Sequence, residues 1–126
     1  MRLLLDTHIL IWAAKDTLSK KAMRYVLDSE NTLCFSPASI WEITIKNSLN
    51  RPDFKVDPAL FRGSLLENGY EELCITSLHT VLVGDLPPLH KDPFDRMLIV
   101  QARSEGIVLL TADSTVASYG GSIILV

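Results

Sequence analysis

A chain of 126 residues, 48% of them hydrophobic, has apolar material for one buried core and needs no disulfide or metal merely to fold. Its formal charge of −3 provides no bulk basic field of the kind that attracts nucleic acid, and no stretch approaches the ~20 apolar residues of a membrane span. Two cysteines, Cys34 and Cys74, are too few for a disulfide framework and read as buried free thiols within strands; with no targeting segment visible, a cytoplasmic protein is expected.

Residues 2–5 form a short apolar strand that ends at Asp6, and Thr7 to about Ala14 follows as a helix. Asp6 is a candidate cap for that helix, but Thr7 can cap it equally well and leave the Asp6 carboxylate free. Ser19 caps a second helix over residues 20–28, with Ala22, Tyr25 and Val26 on its apolar stripe; Lys15, Lys20, Lys21 and Arg24 read as solvated faces. Thr32 to Phe35 is a strand. Ser36-Pro37 then opens a helix, since Ser accepts orphan backbone bonds and Pro at the first helical position loses none. Within it Trp41, Ile45 and Leu49 read as the buried stripe, Glu42 lies on its border, and Lys46 follows one turn later. Trp12, like Trp41, is read as core.

Asp57-Pro58 repeats the capping signal for a helix to about Asn68, and Gly69 stops it. Residues 72–75 are a strand, and Ser77 caps a helix to about Asp85. The prolines in the 86–91 loop exclude regular structure there. Asp92-Pro93 caps the next helix, which stops at Gly106; residues 107–110 are a strand, 114–119 a short helix and 122–126 the last strand.

Five apolar strands alternating with helices predict a three-layer α/β/α sandwich with a mostly parallel five-stranded sheet. Ligands of such sheets bind beyond the C-terminal strand ends. Asp6 and Asp113 fall there directly, and Glu42 and Asp95 sit early in helices that start from or approach that edge. Each acid has a plain structural alternative: Asp6 and Asp113 as helix caps, Glu42 as an exposed partner of Lys46 at i,i+4. Asp92 precedes Pro93 and is the natural cap, which leaves Asp95, at the third helical position, as the better ligand. Four carboxylates converging on one edge point to an oxygen-ligand site for a hard divalent cation.

Four segments, Leu3-Leu-Leu-Asp-Thr-His8, Ser36-Pro-Ala-Ser-Ile-Trp-Glu-Ile43, His90-Lys-Asp-Pro-Phe-Asp-Arg96 and Leu109-Leu-Thr-Ala-Asp113, together resemble the PIN domain, in particular toxin ribonucleases of the VapC type from type II toxin–antitoxin pairs. They are collinear over nearly the whole chain, so residues 1–126 are expected to form a single PIN-like domain. The resemblance implies an acidic quartet of Asp6, Glu42, Asp95 and Asp113 binding Mg²⁺ or Mn²⁺, an RNA substrate, an antitoxin that masks the site, and a homodimer. Asn50-Arg51-Pro52 departs from the Gly-containing turn usual in relatives, and the last strand lacks an aromatic often present there.

Phosphodiester hydrolysis requires activated water and relief of charge at phosphorus, both of which hard cations supply. Asp6 and Asp95 are expected to hold the first cation, with Glu42 and Asp113 completing the cage or orienting the attacking water. Thr7, Ser39, Lys46, Asp92 and Arg96 are candidate supporting residues: hydroxyls for the cage or a phosphate, cations for phosphate oxygens or for the acids themselves. A carboxylate site does not require His8 or His90, and His79 reads as structural. Two rivals remain, a catalytically silent PIN-like module binding RNA or protein and a receiver-type phosphotransfer domain. The second fits poorly, because the first strand ends on a single acid. No Gly-x-Ser-x-Gly elbow or phosphate-cradling Gly loop is present.

Overall fold

The computed structural model describes residues 1–52 and 54–126. In chain order the elements are β1 (Arg2–Leu5), α1 (Thr7–Ala14), α2 (Lys20–Val26), β2 (Thr32–Phe35), α3 (Pro37–Ser48), α4 (Pro58–Glu67), β3 (Glu71–Glu72), α5 (Ser77–Leu82) with a 3-10 turn over Val83–Asp85, α6 (Pro93–Glu105), β4 (Val108–Thr111), α7 (Ser114–Ala117) and β5 (Ile123–Leu125). The strands form one sheet in the order β3-β2-β1-β4-β5, and every pairing is parallel. No helix among the described residues is long and apolar enough to cross a membrane.

Side-chain alternation along the strands builds the three layers. Leu3 and Leu5 of β1 pack with Phe35, Leu110, Ile9, Leu10, Phe61 and Leu65 on one face. Leu4 packs with Cys34, Leu109, Leu98, Ile99 and Ala102 on the other. Both faces of β1 are therefore dry, which is why its sequence is a continuous apolar run rather than an alternating one.

The order of the strands also places the site. From β1 the chain moves outward to β2 and β3, then returns to the other flank of β1 for β4 and β5. The reversal leaves a crevice beyond the C-terminal ends of β1 and β4, the usual ligand position in open parallel sheets.

Three proline-led helices start as the sequence predicts: Ser36, Asp57 and Asp92 each accept backbone N–H groups as caps, with Pro in the first turn. Asn50 has φ +52, taking the left-handed conformation a glycine would supply in that turn.

Several expectations are corrected. Asp6 itself caps α1 by accepting from Ile9 N–H, because Thr7 is turned toward α3. Thr76, not Ser77, caps α5, in a reciprocal box with the buried His79. The third strand is two residues long and ends before Cys74: Leu73 N–H still donates to Phe35 O, but the next partner position is Pro37, which has no N–H, and the Gln101 side-chain amide donates to the leftover Leu73 O at 2.9 Å. Cys74 is consequently exposed, whereas Cys34 is buried. Neither tryptophan is core: Trp12 is 37% exposed and Trp41 63%. The apolar row Trp41, Ile45 and Leu49 lies on the outside of α3, and the buried face is Ala38, Ser39, Glu42 and Ile43.

Candidate active site

The parallel register sets the floor of the crevice. Leu5 lies opposite Leu110, so the next residues, Asp6 and Thr111, face each other at the ends of β1 and β4. Asp6 N–H donates to Leu110 O, and the Thr111 hydroxyl donates to Asp6 Oδ2 at 2.5 Å. Thr111 Oγ also accepts Asp113 N–H at 3.0 Å, tying the third acid-bearing turn to the first. Thr111 lies within the 109–113 segment, but local sequence does not signal its role, which only the strand register reveals.

Glu42 enters from α3, on the face turned into the protein. Its Oε1 accepts the Thr7 hydroxyl at 2.7 Å, and that hydroxyl is 3.0 Å from Ser39 Oγ. Its Oε2 lies 2.8 Å from Lys46 Nζ. The i,i+4 pair thus exists, but at the buried margin of the helix rather than on a solvated face, and Lys46 balances the Glu42 charge.

Asp95 and Asp113 complete the group from α6 and the start of α7. Asp92 Oδ1 accepts Phe94 and Asp95 N–H, as expected of the cap, and frees the Asp95 carboxylate. Asp113 Oδ1 accepts Thr115 and Val116 N–H, so this acid caps α7 while Oδ2 faces the crevice. The four acids grade from floor to mouth: Asp6 and Glu42 are each 4% exposed, while the side chains of Asp95 and Asp113 are 20% and 42% exposed.

Burial and neighbouring charges raise two of the four carboxyls. Burial pushes the Asp6 carboxyl above its ordinary range, and the Asp113 charge adds to the rise against the Thr111 and Ile9 hydrogen bonds. Burial and the Asp92, Glu42 and Asp6 charges push Asp95 up to about 6, opposed by its hydrogen bond to His90. Acids from β1, α3, α6 and the β4–α7 turn therefore act on one another across a common space.

His90 also belongs to this space, at 2.8 Å from Asp95 Oδ2 and 3.5 Å from Asp113 Oδ2. Its position on the 86–91 loop carried no periodic signal. His8, by contrast, is exposed and stacks obliquely near Trp12. Arg96 is a further correction: its guanidinium donates to the Val83, Leu86, Pro87 and His90 carbonyls and to Tyr119 Oη. It braces the loop instead of balancing the acids or offering itself to a phosphate.

A set of four carboxylates suits a hard, oxygen-seeking dication such as Mg²⁺ or Mn²⁺. Among the described residues, one atom each of His90, Asp95 and Asp113 lie within 4.8 Å of one another, a group that does not include Asp6 or Glu42. A groove of about 450 Å³ between α1, α2 and α4, lined by Leu10, Leu18, Met23, Val26 and Leu65 among others, contains none of the four acids.

The fold has known counterparts. It is similar to a VapBC2 assembly from Rickettsia felis bound to promoter DNA (TM-score 0.70, 17% identity, covering 100% of this chain and 98% of that one). It is also similar to a toxin–antitoxin complex from Klebsiella pneumoniae (TM-score 0.67, 14% identity, 97% and 95%) and to DNA-bound VapBC from Salmonella typhimurium (TM-score 0.68, 17% identity, 100% and 97%). No curated protein matches the sequence. The PIN domain profile matches residues 3–121, a span that takes in all four acids, β1 from its second residue, and β2, β3 and β4, and stops before β5. On that match, the chain belongs to the PIN domain family.

Proposed function

We propose that this protein is a Mg²⁺- or Mn²⁺-dependent endoribonuclease and the toxin of a VapC-type toxin–antitoxin pair. The observation that carries the reading is the meeting of Asp6, Glu42, Asp95 and Asp113, from four separate elements, at the switch point of a parallel sheet. Structural caps alone do not require an acid on the inner face of α3, where Glu42 is buried.

Asp6 and Asp95 hold the cation, with Glu42 and Asp113 completing the cage or orienting the attacking water. The cation supplies Lewis-acid activation of water and relief of charge at the phosphate. Thr111 fixes the Asp6 carboxylate from below, and Thr7 and Lys46 fix Glu42 through separate oxygens. Asp113, nearest the mouth, is the acid an incoming phosphodiester meets first.

The partner is a cognate antitoxin, a reading supported by the toxin–antitoxin assemblies among the structural neighbours. The apolar groove between α1, α2 and α4 is a suitable seat for an antitoxin segment. The outward row Trp41, Ile45 and Leu49, beside Phe94, is suited to pairing two copies in a homodimer. The protein acts on RNA in the cytoplasm.

The test is cleavage of an RNA substrate by wild type and Asp95→Asn, with EDTA and after Mg²⁺ or Mn²⁺ is restored. Wild type should cut only with the cation, and the variant should fail in both conditions. RNA binding without cleavage under every metal condition would instead indicate a catalytically silent module.

A further inference from the structure

We propose that His90 is a positioning residue that fills the cation's place between Asp95 and Asp113 with its own ring N–H, so that metal entry displaces the imidazole. The proposal rests on the metal-site reading above. His90 Nε2 stands 2.8 Å from Asp95 Oδ2 and 3.5 Å from Asp113 Oδ2. Neighbouring ligands of a dication with bonds of about 2.0–2.2 Å lie about 3 Å apart, so these distances invite the reading that His90 is itself a ligand.

The partner of the second ring nitrogen argues for displacement rather than ligation. Lys91 N–H donates to His90 Nδ1 at 3.1 Å, an arrangement in which Nδ1 presents its lone pair and a neutral ring carries its hydrogen on Nε2. A metal-ligating histidine normally donates from its other nitrogen; here the other nitrogen accepts. In that tautomer Nε2–H is a donor aimed at the two carboxylates and has no lone pair for a cation.

The ring is held there through its backbone. His90 N–H donates to Tyr119 Oη at 2.9 Å, and Arg96 donates to His90 O at 3.3 Å. Tyr119 Oη in turn donates to Pro87 O at 2.9 Å. With both ends of the His90 peptide anchored, the ring leaves the site by side-chain rotation alone. While it stays, its N–H offsets the repulsion between Asp95 and Asp113 and keeps them near the spacing a cation needs.

The test is Mn²⁺ binding by RNA-free protein, followed by the EPR signal of the free ion, for wild type, His90→Ala, His90→Gln and Asp95→Asn. Removing the internal competitor in His90→Ala should tighten binding about two- to tenfold, the worth of one net hydrogen bond. Gln still offers an amide N–H and should stay within about twofold of wild type. Pulsed EPR of the wild-type complex should show no imidazole nitrogen coupled to Mn²⁺. Unchanged or weaker binding by His90→Ala, with Asp95→Asn still abolishing it, overturns the His90 proposal alone. Failure of wild type to bind, or equal binding by Asp95→Asn, overturns the metal site and this proposal with it. Should His90→Ala not fold, the ¹⁵N spectrum of metal-free wild type at pH 8 serves instead: hydrogen on Nε2 is expected, and hydrogen on Nδ1 overturns the proposal.

Discussion

Asp95→Asn, measured without metal, separates a carboxylate kept for chemistry from one kept for stability. In the folded protein Asp95 is pushed from 3.8 up to about 6 by burial and by the Asp92, Glu42 and Asp6 charges. Full expression of that rise would cost the folded state about 3 kcal/mol once the group ionises, at 1.36 kcal/mol per pH unit. Screening by solvent at a side chain 20% exposed reduces the cost to on the order of 1–2 kcal/mol. Asparagine removes the charge and keeps an oxygen to accept from His90.

The sign follows from linkage. A carboxyl raised in the folded state binds more protons there than when unfolded, so the stability it contributes is complete below pH 3.8 and is lost as pH rises through about 6. Urea unfolding in EDTA should therefore find Asp95→Asn more stable than wild type by about 1–2 kcal/mol at pH 7.5. The gain should shrink through pH 6 and vanish near pH 4. Saturating Mg²⁺ should reverse the order, stabilising wild type by mass action and leaving the variant unmoved. A variant no more stable than wild type at pH 7.5, or a gain that grows toward pH 4, would refute the reasoning.

Other perturbations have separate signatures. Thr7→Val should destabilise the protein by about 1–3 kcal/mol in denaturant titrations, since it strips the buried Glu42 Oε1 of its hydroxyl donor. Arg96→Met should cost on the order of 2–3 kcal/mol and speed amide exchange across residues 83–90, because it orphans the loop carbonyls. Unchanged stability with weakened RNA binding would instead return Arg96 to a phosphate-binding role. Asp6→Asn keeps a competent α1 cap, so the circular dichroism spectrum should be unchanged while RNA cleavage falls by more than about a hundredfold.

The architecture was legible because its signals are local. The Ser36-Pro37, Asp57-Pro58 and Asp92-Pro93 starts and the dry runs of β1 and β4 lead directly to a parallel three-layer fold. The inner face of α3 was not. Its two candidate stripes, 38/39/42/43 and 41/45/49, share the same period, and hydrophobicity alone selects the second. The protein instead buries the row carrying Ser39 and Glu42, since that row serves the crevice, and leaves the apolar row outside.

The four acids could be nominated one by one, yet their partners depend on contacts distant in sequence. Thr111 reaches Asp6 across 105 residues through a strand register, and Tyr119 and Arg96 fix the His90 backbone from two different segments. Arg96 misled for the same reason: its position beside Asp95 in sequence suggests shared chemistry, whereas its helical direction carries it to the loop. Cys74 read as a strand thiol because nothing in residues 72–75 announces that the partner strand β2 turns into α3 at Pro37.

The central claim is that the acidic crevice is a cation site, and a crystal soaked in Mn²⁺ tests it most directly. Anomalous scattering should place an ion within about 2.0–2.6 Å of carboxylate oxygens of both Asp6 and Asp95. A crevice with no anomalous peak at saturating Mn²⁺, or an ion bound only at a surface remote from these acids, would contradict it.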